Sequence, residues 1–116
     1  MSRRASYDGI VVTTPVSIPY VRFSIRAAHW WIGRALAELI KHAHIEKGHI
    51  DGFCVSSFTL APDAAIGLSE HLGLSTRWLD FIPLGGNCGV VSLRRAARAV
   101  QSGDAEIVAC IAGDTN

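Results

Sequence analysis

A turn, an amphipathic helix and an apolar strand follow one another without a break between Gly85 and Gly113, and that order leaves few architectures open. Gly85-Gly86-Asn87-Cys88-Gly89 forms the turn. Behind it Val90, Leu93, Ala97 and Val100 recur at helical spacing as an apolar face, with Arg94, Arg95 and Arg98 gathered on another. Ser102-Gly103-Asp104 closes the helix, and Glu106 to Ala112 is apolar almost throughout, as a strand covered on both faces requires. A helix carried between such strands is the repeating unit of a parallel sheet with right-handed crossovers.

The upstream pattern has the same alternation. Ile10-Val11-Val12 is expected as a short strand stopped by Thr13, Thr14 and Pro15, with a loop to residue 24. From Ile25 to Ile45 the positions Ala28, Ile32, Leu36, Leu39 and Ala43 predict the longest helix, capped by Ser24. Ile50 to Ser57 is β-rich and predicts a second strand. Pro62 suits a first helical turn, Ala65, Leu68 and Leu72 share a stripe, and Gly73 stands at a C-terminal cap, predicting a helix over 62–72. Trp78 to Leu84 predicts a third strand, and Pro83 marks either a sheet edge or a strand end near the cysteine turn. The expected fold class is therefore α/β: a mostly parallel sheet with covering helices, in one domain over residues 1–116 with residues 1–8 loose.

Composition removes several function classes. Eleven basic and 10 acidic side chains give a net charge of +1, which lacks the concentrated positive field of a nucleic-acid binder. No run approaches the ~20 apolar residues of a membrane span, and the apolar stretch behind Met1-Ser2-Arg3-Arg4 is too short for a signal peptide. The three cysteines, at 54, 88 and 110, match neither a disulfide framework nor a zinc site, so a reducing cytoplasm is expected. His42, His44 and His49 cluster, but 42 and 44 do not share a helix face, and no metal site is expected.

Cys88 is the candidate nucleophile. At a helix start, unpaired backbone N–H groups and the positive end of the helix dipole favour an anion. Cys54 and Cys110 fall mid-strand in apolar runs and are expected to be inert. Cys88 and Arg94 also have the Cys-x5-Arg spacing of cysteine phosphatases, although Asn87 replaces the usual histidine and Arg95 the usual Ser or Thr.

Three pieces together resemble the nucleophile region of thiolases, especially the sterol-carrier-type branch of acetyl-CoA acyltransferases. They are Asn87-Cys88-Gly89, the helix end Gln101-Ser102-Gly103-Asp104-Ala105-Glu106, and the strand Ile107 to Gly113; Asp51-Gly52 and Leu72-Gly73-Leu74 add to the likeness. The resemblance implies a thiolase-like N-terminal half in which Cys88 takes the acyl group from an acyl-CoA. Asn87 and Gly89 would then line the substrate, with the coenzyme A thioester as substrate and no resident cofactor. It also implies a homodimer formed through the strand at Leu79 to Pro83 and the third helix. The family's later histidine, Asn-containing motif and second cysteine have no counterpart here, so the chain is expected to be a fragment, a truncated gene product or a subunit that needs a C-terminal half as partner, and to be inactive alone. A thiolase-like half that only associates, without catalysis, is the alternative, and Cys-x5-Arg phosphatase chemistry is a further one.

Overall fold

The computed structural model describes residues 6–13, 15–57, 59, 64–83 and 87–114. Its elements are α1 (Ala28–Ala43), a 3-10 turn (Lys47–His49), β1 (Gly52–Ser56), α2 (Ala64–His71), β2 (Trp78–Phe81), α3 (Cys88–Gln101) and β3 (Val108–Ala112). The three strands form one parallel sheet in the order β2-β1-β3. Over the described residues the fold is a small α/β one with a three-stranded parallel sheet and three helices, and β2 stands at an edge of the sheet.

Alternation along β1 divides the packing between two faces. Phe53 and Val55 point into the main core, where they meet Ala28, Ile32 and Leu36 of α1, Ala65 and Leu68 of α2, and Ala109 and Ile111 of β3. Cys54 and Ser56 point to the opposite face, under α3, where Ser56 Oγ lies 3.1 Å from Ser92 Oγ. Every residue of β1 is buried, as a central strand covered on both sides should be. Gly52 is required by close approach: a Cβ there would lie 2.7 Å from Val108 Cγ2 and 3.0 Å from Ala105 Cβ.

Helix ends follow their local chemistry. Gly73 ends α2 at φ +71, and Leu74 N–H donates back to Ser69 O at 2.9 Å. Gly103, at φ +81, stands beyond α3, where Asp104 N–H donates to Ala99 O at 2.9 Å. His44 takes the same left-handed role after α1 at φ 55, ψ 41. A side chain there costs about 1 kcal/mol. His44→Gly is expected to stabilise the protein by about 0.5–1 kcal/mol, read as a higher urea midpoint with an unchanged m-value; a lower midpoint would count against that cap geometry.

Two expectations are corrected, and the faces of the third helix are placed. Ile10-Val11-Val12 is not a strand: it lies outside the sheet, with Val11 84% and Val12 70% exposed. High β propensity yields a strand only where a neighbouring strand and a packing surface receive it. Ser24 does not cap α1; the N-cap is Ala27, and Ser24 Oγ accepts instead from Arg26 N–H at 3.0 Å. The apolar face of the third helix is not its buried face, since α3 buries Ser92, Ala96 and Ala99 while Val90 is 74% and Leu93 50% exposed. The sheet face below α3 carries the small residues Cys54 and Ser56, and the helix meets it closely through its own small residues, with Ser92 Oγ 3.1 Å from Ser56 Oγ. Pro62, Gly85 and Gly86 lie outside the described residues.

Candidate functional site at the start of α3

β1, β2 and β3 run parallel, so their C-terminal ends share one edge of the sheet, and the chain leaves β2 at that edge to begin α3 at Cys88. In open parallel α/β sheets this edge is where ligands bind. Ser92, one turn into α3, ties the helix to the edge: its hydroxyl donates to Cys88 O at 2.8 Å and lies 3.1 Å from Ser56 Oγ at the end of β1. Beside it, Asp114 Oδ1 accepts from Ser57 Oγ at 2.8 Å, Thr59 N–H at 2.9 Å and Thr59 Oγ1 at 3.0 Å, which fixes the ends of β1 and β3 to each other.

Cys88 is half-buried, and Asn87 and Gly89 beside it are exposed. Asn87 is the N-cap at φ −93, ψ 5, and its side chain makes no cap hydrogen bond, so the first N–H groups of α3 have no side-chain acceptor from that position. A Cβ built on Gly89 meets nothing within 4 Å, so nothing in the fold itself requires glycine there. Sequence reasoning thus named three residues that the fold brings together at one helix start. It did not name Ser56 and Ser92, whose burial no local pattern signals.

No histidine is found in hydrogen-bond contact with Cys88 among the described residues. His29 and His71 stack edge-to-face with ring centroids 6.1 Å apart, His42 lies 3.6 Å from Glu38, and His49 Nδ1 accepts from Glu46 N–H at 3.1 Å. Among the described residues no cluster of three or more His, Cys, Asp or Glu could hold a metal. No described helix is long and apolar enough to cross a membrane.

Two clefts flank the fold, and the second reaches Val90 and Val91 near the start of α3. One of about 350 Å³ is bounded by residues 15–21 and 24, by Trp31, Ala35 and Leu39 of α1, and by residues 110–114. The other, about 650 Å³, is an open groove between Trp78, Asp80 and the arginines of α3. The arginines there are partly engaged: Arg95 holds Asp80 at 3.1 Å, and Arg98 lies 3.9 Å from the Tyr7 ring centroid and donates to Ser6 O at 3.0 Å. Neither cleft includes Cys88.

Cys54 and Cys110 are partners in the β1–β3 register. The hydrogen bond to Cys54 and then burial push the Cys110 thiol well up, while the bond from Cys110 lowers Cys54 against the opposing effect of its burial. No protein family, curated protein or solved structure matches the chain.

Proposed function

We propose that this chain is a thiolase-like N-terminal half, acting in the cytoplasm, whose Cys88 accepts an acyl group from a coenzyme A thioester. The observation that carries the reading is the position of Cys88 as first residue of α3 at the C-terminal edge of a parallel sheet. The Cys88 thiolate attacks the thioester carbonyl, a C–S bond forms, and the coenzyme A thiolate leaves with the electron pair of the broken C–S bond. N–H groups at the start of α3 stabilise the transient oxyanion. Asn87 and Gly89 flank the acyl group, and the open space over Gly89 gives it access. The base for any later carbon–carbon step comes from a second half.

The helical path from Cys88 to Arg94 favours acyl over phosphoryl chemistry. A Cys-x5-Arg phosphate cradle is a loop whose N–H groups converge on the anion, whereas here the five intervening residues lie within α3. Exposed Val90 and Leu93 on α3, together with β2 at a sheet edge, favour a second reading in which a copy of this chain docks along β2 and α3 as a homodimer. The two readings are compatible, because Cys88 lies at the end of that surface.

The test is intact-mass measurement of the native protein after brief exposure to acetyl-CoA, with peptide mapping. One acetyl group on Cys88, absent from Cys54 and Cys110, is the expected result. Equal labelling of the three cysteines would refute a selective nucleophile, and no adduct together with a tight dimer in sedimentation would leave the association reading alone.

A further inference from the structure

Two thiols sit side by side in the middle of the sheet, where neither was expected to have a role. Cys54 of β1 and Cys110 of β3 are direct register partners, so their Cα atoms are spaced as adjacent strands are, at about 4.8 Å. That spacing falls inside the range of about 4.4–6.8 Å that a disulfide spans. Both side chains project toward α3 and share the same neighbour. Cys110 Sγ lies 3.9 Å from Ser92 O, and Cys54 and Cys110 are close enough for each thiol to perturb the other. Cys54 has no exposure at all, whereas Cys110, on the edge strand, is half-buried.

We infer that Cys54 and Cys110 form a redox-sensitive dithiol that closes to a disulfide across β1 and β3 when hydrogen peroxide reaches the sheet edge. Peroxide is small, and Cys110 is half-buried on a strand at the edge of the sheet. Cys110 Sγ passes its proton to water at the strand edge and attacks one peroxide oxygen. The O–O bond breaks, hydroxide leaves, and Cys110 becomes a sulfenic acid. Cys54 Sγ then attacks Cys110 Sγ, the S–S bond forms, the S–O bond breaks, and the departing hydroxide takes the Cys54 proton to become water. The two sulfurs are oxidised by two electrons and the peroxide is reduced to water and hydroxide. No step uses Cys88, so the inference stands apart from acyl transfer.

The bridge would join two strands already in register and tie β1 to β3 through 57 residues of chain, counting both cysteines. It therefore constrains the unfolded chain with little movement of the folded one.

The experiment treats the native full-length protein with dilute hydrogen peroxide, quenches with catalase, alkylates in denaturant and maps peptides without reduction. A Cys54–Cys110 cross-linked peptide is expected, with a mass loss of roughly 2 Da, full reversal by dithiothreitol, and a melting temperature raised by about 5 °C or more. The same bridge should form in the Cys88→Ala protein. Alkylation of both Cys54 and Cys110 after treatment, a sulfinic acid on Cys110 without a bridge, or a bridge that includes Cys88 would each overturn the inference.

Discussion

Asp51→Ala should lower stability by about 2–3 kcal/mol, one of the two largest losses expected in this fold. The carboxylate sits at the start of β1 and holds the entry to β3. Oδ1 accepts from Glu106 N–H and Ile107 N–H, both at 2.9 Å, and Oδ2 accepts from Glu106 N–H at 3.0 Å. Main-chain bonds run in parallel: Asp51 N–H and Gly52 N–H donate to Ile107 O, while Arg77 N–H donates to Asp51 O at 2.7 Å. Removing the side chain leaves two strand-end N–H groups without their charged acceptor, and the 20% exposure of Asp51 lets water recover only part of the loss. The Arg77 ion pair, at 3.6 Å with Arg77 62% exposed, adds little. Asp51→Asn keeps an acceptor oxygen and should cost about 1 kcal/mol. Urea unfolding reads both; an Asp51→Ala midpoint equal to that of the parent would show that the carboxylate does not hold β3.

Asp51 also shows what a sequence conceals. Asp51-Gly52 stood out as a pair before a strand, but its partners at 106 and 107 are more than fifty residues away, and no local signal announces them. Elements whose limits are set locally were legible. Gly73 and Gly103 ended helices because a left-handed residue ends them wherever it occurs, and Pro83 marked the end of an edge strand. Ile10 to Val12 had the propensity of a strand and no neighbour to pair with, so propensity alone misled.

The candidate site was legible at one residue deep. Asn87, Cys88 and Gly89 are consecutive, and placing a helix start there needs only the turn before it and the amphipathic run after it. The serine link beneath it and the Cys54–Cys110 pair depend on strand register, which is decided by the whole sheet. Cys54 and Cys110 looked like isolated apolar fillers because their strands are separated in sequence by α2, β2 and α3.

The orientation of α3 yields the second large effect. A helix with Val90, Leu93, Ala97 and Val100 on one side would ordinarily bury that side, yet Ser92, Ala96 and Ala99 face the sheet. Small residues win because the helix meets the sheet closely over Cys54 and Ser56, and because Ser92 finds a hydroxyl partner in Ser56. Ser92→Leu should therefore cost about 3–5 kcal/mol, combining overpacking with an unpaired, buried Ser56 hydroxyl. Leu93→Ser, one position along, should change monomer stability by less than about 0.5 kcal/mol, because Leu93 is half exposed. Were the apolar face the docked one, the two results would exchange places. Ser92→Ala and Ser56→Ala refine the point: each should cost about 1 kcal/mol, and the double substitution less than their sum, since it leaves no hydroxyl unpartnered. Strict additivity in that cycle would mean the two serines do not share a hydrogen bond, and the helix start that carries Cys88 would then be held by packing alone.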